Sequence, residues 1–164
     1  MCIRDRTGHV YELRWYRTQT GRAGEWLTHF KAIQPVRHPW GVWHFPIFYM
    51  DNMDFSSGCF WSSETEGPFS DTMIEAALAD DGVYVFDFHP IHLLLNTPER
   101  ARYFSVRDRF KAGVALDQLV YAGNGTRRFY ERLCAAMARD GLKSLSLGQA
   151  LDAHLSGQRP KPER

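Results

Sequence analysis

The sequence predicts an α/β domain, because short buried strands alternate along it with amphipathic helices. The clearest strand covers residues 83–88, where a β-branched and aromatic run follows an Asp-Gly pair. The clearest helix covers residues 127–139, where apolar side chains recur every four positions from Phe129. A chain of 164 residues is long enough for one domain with a buried core.

Three further strands are predicted on either side of the central one. Residues 10–15 form a short strand, and a loop over residues 35–41 leads to a longer one over residues 43–50. Pro46 interrupts the hydrogen-bond ladder of that strand, as in an edge, a bulge or a distorted barrel strand. Residues 143–147 form a brief last strand.

The remaining helices are predicted mainly from their start signals. Ser70 caps a helix that runs to about residue 78, after a Ser- and Gly-rich loop. Thr97 caps the next helix and Pro98 occupies its first position, while Thr126 caps the 127–139 helix. Short helices over residues 26–32 and 148–155 complete the prediction.

Ionisable side chains gather where two of these strands end. Side chains alternate along a strand, so Asp87 and His89 share one face, while the other carries aromatic rings that include Phe88. Asp51 stands directly after the 43–50 strand. A barrel strand delivers catalytic groups to a pocket in this way. The alternative is a buried histidine that a neighbouring carboxylate satisfies.

Composition narrows the function classes. A net charge of +1 gives no electrostatic support for nucleic-acid binding. No apolar run reaches the length of a membrane span. Cys2, Cys59 and Cys134 are scattered, which favours a reducing, cytoplasmic location and argues against a thiolate metal site or a cysteine nucleophile. The oligomeric state is not predicted.

Two further groups of residues are candidates for binding. Aromatic residues make up 14% of the chain, and Trp43 and Trp61 belong to a cluster that would stack on sugars or pack in the core. His89 and His92 form a His-x-x-His pair, which would bind a metal if both rings faced one way. On a strand they would face opposite ways, and Pro90 argues against a helix there.

The two ends of the chain differ from its middle. Residues 1–6 show no periodicity and resemble a sequencing-adapter read-through, so we expect the natural protein to begin further upstream. Residues 7–155 are then part of one domain. Residues 156–164, with two prolines, are predicted to be a disordered tail.

Three segments resemble a known family. They are Phe-Pro-Ile-Phe-Tyr-Met-Asp at residues 45–51, Val-Phe-Asp-Phe-His-Pro-Ile-His-Leu-Leu-Leu-Asn-Thr at residues 85–97, and the closing segment at residues 140–148. Together they resemble the polysaccharide deacetylases of the NodB-homology group, carbohydrate esterase family 4, in an uncharacterised bacterial branch associated with surface polysaccharides. The resemblance spans about residues 36–155.

The resemblance implies the C-terminal part of a distorted (β/α) barrel, with mostly parallel strands flanked by helices. It implies a divalent metal, usually zinc, that polarises an acetamide and activates water, with an Asp as base and a His as acid. His89 matches the acid, Asp51 would orient substrate or brace a catalytic partner, and Asp87 joins them as a catalytic candidate. Phe88 would form a pocket wall, and His92, Trp43 and Trp61 would contact the N-acetylated polysaccharide substrate.

Two motifs of the family have no match in the chain. They are the paired-Asp strand that gives the base and a metal ligand, and the two-His motif that normally follows it. The metal ligands are therefore unknown, and we expect them upstream. A non-catalytic carbohydrate-binding domain and a structural partner domain remain as alternatives to a hydrolase.

Overall fold

The computed structural model describes residues 2–4, 10–12, 34–37, 39, 41–56, 67–79 and 82–157. The chain divides into two compact units. The first comprises Met1–Phe48, Asp81–Val85 and Met137–Arg164, and the second comprises Tyr49–Asp80 and Phe86–Ala136. The helix predicted over residues 26–32 and residues 158–164 of the predicted tail lie outside the described residues.

The first unit contains a four-stranded mixed sheet. Its strands are β1 (Cys2–Arg4), β2 (Val10–Glu12), β3 (Val36–Arg37) and β4 (Trp43–His44), in the order β1-β2-β4-β3. Strands β2 and β4 are parallel, whereas the other two pairs are antiparallel. The prediction of mostly parallel strands is therefore wrong for this sheet. The loop predicted over residues 35–41 is also interrupted by β3.

The antiparallel pairing of β3 with β4 has a simple cause. The segment between them, residues 38–42, is too short for the crossover of a dozen or more residues that parallel neighbours require. Gly41 has a φ of +86°, a conformation that residues with a Cβ rarely adopt.

Helix α6 (Leu147–Ser156) packs on a small core of this unit. Ala150 and Leu151 are buried with Phe45, and Val83 and Val85 pack against them. A capping box starts the helix: Ser146 Oγ accepts from the Gln149 N–H at 3.2 Å, and Gln149 Oε1 accepts from the Ser146 N–H at 2.9 Å. The predicted closing helix is confirmed.

The brief strand predicted over residues 143–147 is wrong. Residues 142–146 have no regular secondary structure, and Leu142 and Leu145 are exposed. In the part of the chain that the structure describes, no strand pairs with this segment, and the capping box begins a helix directly after it.

Strands β5 (Ile47–Met50) and β6 (Val85–Asp87) form a separate two-stranded sheet. Pro46 separates β5 from β4, at the break that the sequence predicts. Mixed α/β structure is thus confirmed for the described residues. Their strands form two small sheets, so the barrel stays a prediction.

An aromatic core lies at the centre of the second unit. The centroid of the Tyr49 ring lies 5.6 Å from the ring centroids of Phe86 and Phe88 and 4.7 Å from that of Phe129. The rings of Phe86 in β6 and of Phe88, one residue beyond its end, are 9° from parallel, as expected for residues two apart in an extended segment. The predicted alternation of this segment is therefore confirmed for the aromatic face.

The described residues of the second unit contain five helices. They are α1 (Asp51–Ser56), α2 (Thr72–Ala79), α3 (Pro90–Leu95), α4 (Arg100–Lys111) and α5 (Thr126–Arg139), with a 3-10 turn over Leu116–Gln118. Leu95, Val106 and Leu119 form a second buried cluster. Ser70 Oγ accepts from the Thr72 N–H at 3.2 Å, which confirms its role at the start of α2.

Two predicted caps and one predicted break are wrong. Glu99, not Thr97, is the N-cap of α4. Thr126 is already helical, and its hydroxyl donates to the Thr97 carbonyl at 3.0 Å. Pro90 does not prevent a helix but begins α3 at N1, where its missing N–H has no intrahelical partner to lose.

Asn96 joins the end of α3 to the start of α5. It is buried in the left-handed conformation at a φ of +51°, and its Nδ2 donates to the Tyr121 and Gly123 carbonyls at 2.7 and 2.9 Å. Its Oδ1 accepts from the Arg127 N–H at 3.0 Å, so Asn96 caps α5 from a distance. Gly125 is pressed against the Asn96 carbonyl, where a Cβ would clash with backbone.

Gly125→Ala should therefore destabilise the protein by about 1–3 kcal/mol, the usual cost of overpacking. Gly123→Ala is the matched control. The three atoms nearest to its Cβ would all belong to the far end of the flexible Tyr121 side chain, which is 37% exposed. Urea unfolding followed by circular dichroism measures both. Equal losses of unfolding free energy in the two variants would contradict the close approach of Gly125 to Asn96.

Candidate active site

Asp51 and His89 are in direct contact at the ends of β5 and β6. Nδ1 of His89 lies 2.7 Å from Oδ1 of Asp51, and the backbone N–H of His89 donates to Oδ2 at 2.9 Å. The side chain of Asp51 is fully buried, whereas that of His89 is 39% exposed. Because Asp51 occupies Nδ1, Nε2 is the ring nitrogen left to exchange a proton with a bound molecule.

The first turn of α1 supplies a further donor to the buried carboxylate. The Asn52 N–H lies 2.6 Å from Oδ1 of Asp51. Asp51 thus has two backbone donors and one imidazole. A carboxylate without such partners would be costly to bury, so these contacts explain how Asp51 is tolerated in the interior.

The contact with Asp51 favours the protonated form of His89. The hydrogen bond with Asp51 raises the pKa of His89 above its usual value, and the charges of Asp51 and Asp87 act in the same direction, against the opposing effect of burial. His89 is therefore more fully protonated near neutral pH than a free histidine, as a proton donor requires.

Asp87 is the last residue of β6, two positions before His89. Its side chain is half-buried, and burial raises the pKa of Asp87, while the charge of His89 acts in the opposite direction. The structure thus brings Asp51, Asp87 and His89 into one electrostatic group.

His92 belongs to the same cluster but offers little surface to a substrate. It is 7% exposed, and its Nδ1 lies 3.1 Å from Thr97 Oγ1. Its ring centroid lies 5.6 Å from that of His89 because α3 places residues three apart on one side. The prediction that the two histidines face opposite ways is therefore wrong.

The other predicted binding residues lie in different surroundings. The half-buried ring of Phe88 packs on Tyr49, Phe129 and Tyr130. Trp43 packs against the Phe45 core of the first unit and meets His154 edge-on. Trp61 lies outside the described residues, as does Cys59, and Cys134 is an exposed free thiol on α5.

A second buried carboxylate, Asp54, was not predicted to have a role. It is fully buried one turn beyond Asp51, and its Oδ2 accepts from the Tyr49 hydroxyl at 3.0 Å and the Phe69 N–H at 2.8 Å. Burial raises the pKa of Tyr49, and Asp54 raises it further, so this hydroxyl stays protonated. The Asp-x-x-Asp spacing of Asp51 and Asp54 is the sequence signal for this second carboxylate. It indicates that both side chains lie on one side only if residues 51–56 are known to form a helix.

Comparison with known families identifies the family of the chain. A family model described as WbmS-like polysaccharide deacetylase matches residues 22–107, about half of the chain. The chain belongs to the WbmS-like polysaccharide deacetylase family. The matched region contains Asp51, Asp87, His89 and His92.

One solved structure is similar to this WbmS-like chain. It is a protein from Bordetella bronchiseptica assigned as a polysaccharide deacetylase involved in O-antigen biosynthesis, at 24% identity and a TM-score of 0.49. The match covers 76% of this chain and 45% of that one, so the chain spans less than half the length of this relative. No curated protein matches the chain.

The divalent metal that the resemblance implies does not fit the described residues. Within them, no three His, Cys, Asp or Glu side chains are placed to hold a metal ion together. Asp51 is satisfied by three donors, and Nδ1 of both His89 and His92 is engaged. The zinc site therefore stays a prediction, and no catalytic step is assigned to it.

The Asp51–His89 pair should make stability depend on pH. The pKa of His89 is raised in the folded state, so the protonated ring contributes to the free energy of unfolding. This contribution is fully present below the unfolded pKa of about 6.5 and is lost as the pH rises through the folded pKa. We expect the wild type to be more stable than His89→Gln at pH 5.5, with a smaller difference at pH 8.5. Urea unfolding across this range tests it, and a difference that grows with pH would contradict the pair.

Proposed function

We propose that this chain carries the general acid of a polysaccharide deacetylase, and that the acid is His89. Two observations support the proposal: membership of the WbmS-like family and the contact between the His89 imidazole and the buried Asp51 carboxylate. The proposed reaction is removal of N-acetyl groups from a bacterial surface polysaccharide, in a reducing compartment.

The acid has a defined task in this reaction. Water adds to the acetamide carbonyl carbon and gives one proton to a base, which in this proposal lies outside the described residues. The C–N bond then breaks, so that the sugar nitrogen takes up a proton as it leaves and the acyl group remains as acetate. An amide nitrogen leaves poorly without that proton, so a positioned acid lowers the barrier. In our proposal Nε2 of His89 donates it, since Nδ1 faces Asp51.

Asp51 and Asp87 support the acid in different ways. Asp51 orients the ring and stabilises the imidazolium through a short contact, as a buried carboxylate does behind other catalytic histidines. Asp87 is half-buried beside His89, and its carboxylate adds to the negative potential that favours the imidazolium.

The fold and cofactor that the resemblance implies belong to the same proposal. The distorted (β/α) barrel would be completed by strands beyond those described, and a divalent metal, predicted to be zinc, would have its ligands outside the described residues. Among the described residues, no helix is long and apolar enough to cross a membrane.

His89→Ala in the natural protein at its full length should lower kcat for acetate release by about 10²–10⁴-fold, the usual contribution of a general acid. Asp51→Asn should also lower kcat, because the ring loses its orienting anion. The matched control is His154→Ala, a histidine of the first unit that meets Trp43.

Acetate release from N-acetylglucosamine oligomers measures these effects. Unchanged release in His89→Ala would assign the acid to another residue. Binding of the oligomers by a wild-type protein that releases no acetate would instead support the non-catalytic carbohydrate-binding alternative.

A further inference from the structure

The ring of His92 lies beside the ring of His89. His89 is the N-cap of α3, and His92 follows three residues later within the helix. The two ring centroids are 5.6 Å apart, with the ring planes at 59°. A rotation of the His89 ring toward His92 would therefore be opposed by the neighbouring ring.

His92 itself is held in one orientation. Its Nδ1 lies 3.1 Å from Thr97 Oγ1, and the rings of Phe55 and Tyr103 meet it edge-on at 4.9 and 4.8 Å. With 7% of its surface exposed, the residue has little freedom to move into solvent. His89, by contrast, is 39% exposed and has room for other rotamers.

Thr97, which contacts the His92 ring, is itself held in place by hydrogen bonds. It is 1% exposed, and its carbonyl accepts from both the N–H and the hydroxyl of Thr126, each at 3.0 Å. The hydroxyl that contacts His92 is therefore attached to backbone that the start of α5 holds in place.

The ionisable groups around His92 favour its neutral form. Asp51 faces it from α1, His89 from the start of α3 and Tyr103 from α4. Burial lowers the pKa of His92, and the charge of His89 lowers it further, against the opposing effect of Asp51. A neutral His92 can lie beside a protonated His89 without repulsion.

We propose that His92 is a positioning residue, whose buried ring is the wall that keeps the His89 imidazole in contact with Asp51. The inference rests on the proposed function in one respect, that His89 is the acid. His92 acts through His89 and does not itself touch substrate, which replaces the substrate-binding role predicted for it.

Three variants of this chain test the wall. His92→Ala removes the ring, His92→Phe keeps a ring between Phe55 and Tyr103, and Leu133→Ala removes a buried side chain from α5 as a control for general loosening. The readout is the titration of His89 by NMR with ¹³C-labelled histidine, which needs no turnover. Failure of acetate release would therefore leave this readout unaffected.

We expect the pKa of His89 to fall toward the free value of about 6.5 in His92→Ala, because the contact with Asp51 is no longer enforced. The pKa should stay near that of the wild type in His92→Phe and in Leu133→Ala. An unchanged pKa in His92→Ala, or a fall of the same size in either of the other variants, would overturn the proposal.

His92→Val covers the case in which His92→Ala does not fold. It removes the ring but leaves an apolar side chain in the space between Phe55 and Tyr103. The pKa of His89 should then fall in His92→Val and stay near that of the wild type in His92→Phe. No fall in His92→Val would count against the proposal in the same way.

Discussion

The double contact between Asp51 and His89 is the interaction on which the rest of the candidate site depends. One carboxylate oxygen accepts from the backbone N–H of His89, and the other contacts its ring. The first contact places the start of α3, and the second orients the imidazole. A buried carboxylate with three donors is acceptable in the interior, and removing any donor would leave a poorly compensated charge there.

The opposite end of α3 is held as firmly as its start. Asn96 closes the helix in a left-handed conformation and caps α5, and Arg127 donates from Nε to the Leu93 carbonyl at 2.9 Å. A six-residue helix is too short to be stable alone, so these tertiary contacts maintain it. The aromatic core beneath Tyr49 and the Asn96 junction together keep His89 where Asp51 can reach it.

The sequence predicted this site to a useful extent, and the reasons are physical. The period of two over residues 83–88 can be recognised in the sequence alone. It predicts that Phe86 and Phe88 lie on the face opposite to that of the ionisable side chains. Asp51 and His89 each follow a strand, which made their proximity foreseeable. The family resemblance then named His89 as the acid.

Other features depended on partners that the sequence does not reveal. Strand β3 has two residues and exists because β4 lies beside it. Helix α3 was missed because Pro90 suggests a break, although it occupies the one helical position that favours proline. His92 therefore looked available to substrate, whereas the helix carries it into a pocket formed by Phe55, Tyr103 and Thr97.

The most direct test of this account is the titration of His89 by NMR in the wild type and in Asp51→Asn. If Asp51 orients the His89 ring and favours its protonated form, the pKa of His89 lies above about 6.5 in the wild type and falls in the variant. Circular dichroism should show the same fold for both proteins. A His89 that titrates at the same pH in both proteins would contradict the pairing and the role proposed for His89 as the acid.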